Sequence, residues 1–194
     1  MTAKKKEDSL TIEEKLKAAL VPEAEQPYPL PGNWVWTKMG AITRIVGGGT
    51  PRSHDPALYE DGSIPWIRPV DLSGYDDMYI SQGSRNITEE GLRNSSARLI
   101  PKNSLLFSSR APIGYVAISA NEVTTSQGFK SFLPTSALVP QYGYWYLKSA
   151  KLLAESLASG TTFQEISGAK ATLIPIPLPL LVIIKLKPEI TTVA

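Results

Sequence analysis

Apolar and polar positions change their spacing several times along the chain, and each change predicts an element. Thr11-Ile12-Glu13-Glu14 is a capping box with Thr11 as N-cap and Glu14 at N3, and Leu10, Leu16 and Leu20 continue a helical spacing that Pro22 stops. Residues 22–32 (PEAEQPYPLPG) hold four Pro and one Gly, which reads as a semi-rigid linker, so the folded domain is expected to begin near Asn33. Trp34 to Met39 alternates, and Ile42 to Val46 is apolar and β-branched. Both predict short strands, or a strand and a helical turn. Ile64 to Arg68 resembles a short strand entered through Pro65. Leu105 to Ser108, Tyr115 to Ile118 and Phe129 to Leu133 read as buried strands, and Thr88-Glu89-Glu90 opens a short helix with acids at its positive end.

One long helix is predicted from Pro140 to Ser159, with Tyr142, Trp145, Tyr146, Leu152, Leu153 and Leu157 on a broad stripe and Gly160 as a left-handed C-cap. Residues 162–165 are expected to start one more short helix, before Pro-punctuated extended chain up to Leu178. The sum is an α+β fold of short strands and one dominant helix. The four tryptophans, Trp34, Trp36, Trp66 and Trp145, are expected in the core rather than as base-stacking platforms.

Composition removes several function classes. The chain has 194 residues, no Cys and one His, so a disulfide framework, a thiol nucleophile and a Cys- or His-rich metal site are excluded. The most apolar run, Leu173 to Ile184, has 12 residues and three prolines, too short and too broken for a membrane span. MTAKKKEDSL lacks the apolar stretch of a secretory signal, and the expected compartment is the cytoplasm.

The triple glycine of Gly47 to Ser53 (GGGTPRS) does not follow a phosphate-loop spacing, and it predicts a tight turn requiring positive φ. His54 beside Asp55 is a poor base–orienter pair, with no serine in a nucleophile elbow. No ordered carboxylate–Lys arrangement of a metal-dependent nuclease and no cofactor-binding Gly-rich turn is present. No catalytic residue and no metal site are therefore assigned.

The net charge of +2 is segregated along the chain. Residues 52–77 carry two basic and six acidic side chains, and residues 78–151 carry eight basic and three acidic ones. Such a basic stretch predicts either a positive face that attracts polyanions or an ordinary solvated surface.

Taken together, the segments resemble one target-recognition half of the specificity subunit of type I restriction–modification enzymes. Those carrying the resemblance come in order: LPGNWVWTKMGAI, GGGTPRS, IPWIRPVDL, ARLIPKNSLLFSSRAPIGYVAI, TSQGFKSF, SGTTFQEIS and IPIPLP, from about Pro29 to Leu178. The resemblance implies a single target-recognition domain over residues 33–178, preceded by an N-terminal helix and Pro-rich linker (1–32) and followed by a divergent tail (179–194). It implies sequence-specific binding of double-stranded DNA without catalysis, in a complex acting as a site-specific nuclease and adenine methyltransferase. Partners would be methyltransferase (modification) subunits holding S-adenosylmethionine, restriction/translocase subunits using ATP and Mg, and a second specificity half. The chain itself would hold no cofactor. The alternative is a defective assembly module that pairs with other subunits and does not bind DNA.

After Leu178 the family continues into a long spacer helix, whereas here the chain reads PLLVIIKLKP. This β-branched run is poor as a polar-faced helix, and the departure points to a truncated or frame-shifted product.

Phosphate contacts position a protein on DNA and base-edge contacts specify it. The expected phosphate contacts are Gly48 and Thr50 of the glycine loop, Ser108, Ser109 and Arg110 at a strand end, and Gln127 and Lys130 beside Gly128. Base readers are expected in the divergent stretches 52–62 and 76–98, with Arg52, His54, Arg85, Asn86, Arg93 and Asn94 favoured because Arg suits guanine and Asn suits adenine.

Overall fold

A computed structural model describes residues 11–110, 112–160 and 164–185. In chain order the elements are α1 (Ile12–Ala19), β1 (Trp34–Lys38), α2 (Met39–Ile42), β2 (Ile45–Gly47), β3 (Ile64–Ile67), β4 (Tyr79–Ile80), β5 (Arg85–Ile87) and α3 (Glu89–Arg93). They continue with β6 (Leu105–Ser109), β7 (Ile113–Ser119), β8 (Thr124–Thr125), β9 (Phe129–Phe132), α4 (Pro140–Ser149), α5 (Lys151–Ser156), α6 (Gly168–Ala171), β10 (Pro175–Pro179) and α7 (Leu180–Lys185). The class is α+β, as the patterning predicts.

A five-stranded sheet, ordered β2-β9-β6-β7-β4, forms the centre. β4 runs parallel to β7, and the other pairs are antiparallel. Alternate side chains of a strand point to opposite faces, and here both faces are covered. Leu105, Phe107, Val116, Ile118 and Phe132 pack with Tyr144, Leu147, Ala154 and Ile176 on one side. Leu106, Ala117 and Phe129 pack with Ile67, Leu72, Ile80, Ile100 and Val123 on the other. Two-sided burial explains why β6 opens on three apolar residues in a row, Leu105-Leu106-Phe107.

β1 and β10 form a separate antiparallel ribbon in which Trp34, Trp36 and Lys38 face Pro179, Pro177 and Pro175. Three prolines in one strand are tolerable only where no partner needs their N–H. The Tyr142 hydroxyl donates to the Pro177 carbonyl at 2.6 Å and the Tyr146 hydroxyl donates to that of Pro175, so β10 has a tyrosine-covered edge.

Several expectations are corrected. The predicted long helix is two, because Ala150 leaves helical geometry (φ −87°, ψ 13°) between α4 and α5. The bend lets both helices lie on β7. Part of the predicted stripe faces outward: α4 buries Gly143, Tyr144 and Leu147 and leaves Trp145 60% exposed, and Leu152 of α5 is 79% exposed, so Trp145 is not a core residue. Gly160 does have positive φ (105°), but α5 already ends at Ser156 and Gly160 does not cap it. Residues 162–163 lie outside the described residues. Glu165 forms bridges to Ser159 and Arg110 instead of starting a helix, and the helical turn comes later as α6, capped by the Ser167 hydroxyl.

The N-terminal helix and the linker after it, expected outside the domain, are packed against it. Val21 N–H donates to the Trp36 carbonyl at 3.0 Å, and the buried Thr37 hydroxyl donates to Ala19 at 2.9 Å. Trp36 Nε1 donates to Tyr28 at 2.9 Å while their rings meet edge-on at 4.9 Å. The capping box of α1 forms as predicted. The β-branched tail is helical over its described part, because Leu180 N–H bonds the Asn33 carbonyl, closes the ribbon and turns the chain into α7.

Candidate nucleic-acid interface

A second, three-stranded sheet (β5-β3-β8) stands beside the central one. Trp66 of β3 pairs with Arg85 of antiparallel β5 and with Thr124 of parallel β8. Its small core joins Leu58, Tyr59, Ile64, Trp66, Ile87 and Ala97. Thr88 fastens the two divergent stretches together. Its N–H donates to the Leu58 carbonyl at 3.0 Å, its hydroxyl donates to Ala57 at 3.0 Å, and it caps α3 by accepting from Gly91. Stretches 52–62 and 85–98 thus fold as one unit, carrying Arg52, His54, Arg85, Asn86, Arg93 and Asn94. All of these are exposed except Asn86, which is half-buried opposite Pro65. Asn94 also reaches back to Glu90 at 3.4 Å.

The glycine loop is seated on this unit. A Cβ at Gly48 would lie 2.0 Å from the Ser126 carbonyl oxygen, and one at Gly49 would lie 2.1 Å from the Ala97 nitrogen. Neither glycine has positive φ. The expected reason for the glycines is therefore corrected: they are needed for close backbone approach, not for left-handed geometry. The Gly49 N–H donates to Thr125 at 2.9 Å and its carbonyl accepts from Trp66 Nε1 at 2.9 Å, so its backbone groups serve the fold. The Pro51 carbonyl accepts from the Tyr59 hydroxyl at 2.7 Å. That bond ties the backbone just before Arg52 to the Tyr59 hydroxyl. The Thr50 hydroxyl donates to the Gln127 side-chain carbonyl, joining two of the predicted residues.

An aromatic pair lies under two guanidinium groups. Tyr59 and Trp66 have centroids 5.7 Å apart, with Arg85 3.6 Å over Tyr59 and Arg68 5.5 Å over Trp66. Burial pushes the Tyr59 hydroxyl up, against the opposing pull of Arg85 and Arg68. Arg85 makes no ion pair among the described residues. Arg68 was not among the predicted residues. Its signal was present as strand alternation, which sets residue 68 on the same face as Trp66.

Four predicted contacts lie elsewhere. Ser108 and Ser109 are fully buried. The Ser108 hydroxyl donates to Pro112 at 2.7 Å and accepts from Tyr115 N–H at 2.8 Å, and that of Ser109 donates to Gly128 at 3.1 Å. Both are corrected to structural residues: β6 is an inner strand, and its end is covered. Lys130 is 13% exposed and pairs with Glu165 at 3.3 Å, while Arg110 pairs with the same carboxylate at 3.4 Å. Glu165 takes up charge that the local sequence left free.

Among the described residues no group of three His, Cys, Asp or Glu side chains could hold a metal, and no helix is long and apolar enough to cross a membrane.

Residues 31–185 match the family model described as the type I restriction modification DNA specificity domain. The chain is 43% identical over 153 residues to the type I restriction enzyme MjaIX specificity subunit of Methanocaldococcus jannaschii, covering 77% of this chain and 35% of that protein. It is 29% identical over 157 residues to the EcoR124I/EcoR124II specificity subunit of Escherichia coli, covering 76% and 37%. Among solved structures, it is similar to a chain from work on complex assembly and conformational transition of the type I R-M system (TM-score 0.61, 21% identity, 96% of this chain and 44% of that one). It is also similar to the HsdS subunit from Thermoanaerobacter tengcongensis (TM-score 0.57, 19% identity, 98% and 44%). The chain thus spans between a third and a half of the length of these relatives. With the family model matched over most of its length and the same fold in solved relatives, the chain belongs to the type I restriction–modification specificity family and carries one target-recognition domain.

Proposed function

We propose that this chain binds double-stranded DNA sequence-specifically, performs no chemistry itself, and directs a type I restriction–modification complex to its target. Its partners would be modification subunits holding S-adenosylmethionine, restriction/translocase subunits using ATP and Mg, and a second recognition half. The observation that carries the reading is the folding of stretches 52–62 and 85–98 into one unit whose Arg85 has no carboxylate partner among the described residues. Arg68 lies over the same aromatic pair, the Pro51 carbonyl just before Arg52 accepts from Tyr59, and the neighbouring Thr50 bonds Gln127. Arginine stacked on a ring keeps its fork of donors free, which suits guanine or phosphate.

The test is fluorescence anisotropy of the full chain on duplex DNA over a salt series. Non-specific binding is expected at about 10⁻⁴ to 10⁻⁶ M, with a log–log slope of roughly −3 to −4 for about four phosphates. R52A and R85A should flatten the slope or change sequence preference, whereas K130A and R110A, already paired with Glu165, should do neither. Salt-insensitive or absent DNA binding by a chain that still co-purifies with modification subunits would support the assembly-module reading instead.

A further inference from the structure

Arg85 ends a strand of three residues, and its pairing with Trp66 is the last of the ladder. A strand end this short frays unless something else holds it. What holds it lies just past the end of β3. Asp71, with its side chain 5% exposed, accepts the Arg68 N–H at 2.8 Å through Oδ2. Through Oδ1 it accepts both the N–H of Ser84, at 3.1 Å, and the Ser84 hydroxyl. Arg68 closes the ring: Nη2 donates to Ser84 Oγ at 2.6 Å, and Nε faces Asp71 Oδ2 at 3.6 Å. Gly83 fits between them only without a side chain, since a Cβ there would lie 2.7 Å from Asp71 Oδ2 and 2.8 Å from the Trp66 carbonyl oxygen.

We infer that Asp71 is a positioning residue for sequence readout: its carboxylate ties Ser84 to the exit of β3 and so holds the Arg85 guanidinium over Tyr59. This rests on the proposed DNA reading. The carboxylate is below the surface and all its close partners are donors of the chain itself, so it makes no DNA contact. Stacking by an exposed guanidinium is weak by itself. The clamp supplies the order that stacking cannot, and it fixes the plane in which the Arg85 donors point at a base edge.

Asp71→Asn tests this without changing size. The amide must turn its NH₂ toward either the Arg68 N–H or the Ser84 donors, which sets donor against donor at a covered site. Ser84→Ala removes one arm of the clamp and keeps the carboxylate, and D76N makes the same charge change at an exposed side chain. The first readout is NMR of the full chain without DNA. With Cζ 3.6 Å from the Tyr59 ring centroid, the Arg85 side-chain protons carry a ring-current shift. D71N should remove more than half of that shift, S84A should reduce it less, and D76N should leave it in place.

The second readout is discrimination between a duplex enriched from a random-sequence pool and its scrambled version. D71N should lower it as R85A does, roughly fivefold or more. The double variant D71N/R85A should fall no more than about twofold below R85A, because the two act as a unit.

An unmoved Arg85 shift in D71N overturns the inference whatever the DNA data are. If D71N does not fold, S84A decides in the same way. Should D71N displace Arg85 while R85A leaves discrimination intact, the specificity role is overturned together with the placing of the DNA face.

Discussion

Val21 offers the sharpest test of whether the segment before Asn33 is part of the domain. It is buried, lies outside α1, and donates its N–H to Trp36. Val21→Ala removes two carbons and leaves that backbone bond alone. At about 0.8 kcal/mol per buried CH₂, the lost transfer energy is about 1.6 kcal/mol, and an incompletely closed cavity brings the expected cost to about 1.5–2.5 kcal/mol. Helix propensity does not enter, because the residue is not helical. For a domain of this size that is a fall in Tm of roughly 3–10 °C. Urea and thermal melts of V21A should show the loss with an unchanged m-value, whereas Glu23→Ala, exposed on the same segment, should stay within about 0.5 kcal/mol of the parent. Thr37→Val removes the buried donor to Ala19 and should cost about 1 kcal/mol by itself. If V21A melts with the parent chain, the segment is a tether and the packing argument is wrong.

Other expectations follow from single contacts. Gly49→Ala would press a Cβ to within 2.1 Å of the Ala97 nitrogen and should cost at least about 3 kcal/mol, read as a lowered denaturation midpoint or loss of soluble protein. Glu165→Gln strands the 13%-exposed Lys130 and should cost about 1–2 kcal/mol, between the values for exposed and buried pairs, as measured by urea melts. Burial pushes the Tyr142 hydroxyl from 10.0 up to about 12 and that of Tyr146 higher still. A raised phenol holds its proton more tightly in the folded chain, so this contribution is constant below pH 10 and declines as pH rises through about 12. Alkaline titration of stability should show that decline in the parent and a shallower one in Y142F/Y146F.

Much of the architecture was legible because its cause is local. β6 announced itself by the apolar run Leu105-Leu106-Phe107, Thr11 and Glu14 as a capping box, and Thr88 as an N-cap before two glutamates. Periodicity also located the residues of α4 and α5, but not the break between them. Ala150 bends where both helices must lie on β7, a demand of the sheet rather than of the helix. The face of α4 that meets the sheet, with Gly143, Tyr144 and Leu147 buried, decided that Trp145 faces outward.

At the candidate interface, residue type proposed Arg52, Arg85, Thr50 and Gln127, while the chain order of motifs pointed to the family. It could not tell them from Ser108, Ser109 and Lys130, because polarity beside an apolar strand looks alike whether a residue ends in solvent or under another segment. Glu165 lies 35 residues from Lys130 and 55 from Arg110, and only folding brings its carboxylate to both. The triple glycine shows the same division. Its sequence says that a side chain is unwelcome; the backbones of Ser126 and Ala97, which close on it from distant parts of the chain, give the reason. Local patterning is set by interactions a few residues apart and can be read along the chain. Which charge is neutralised, which strand end is covered and which guanidinium is left free depend on contacts between distant segments, and the tertiary structure alone decides those.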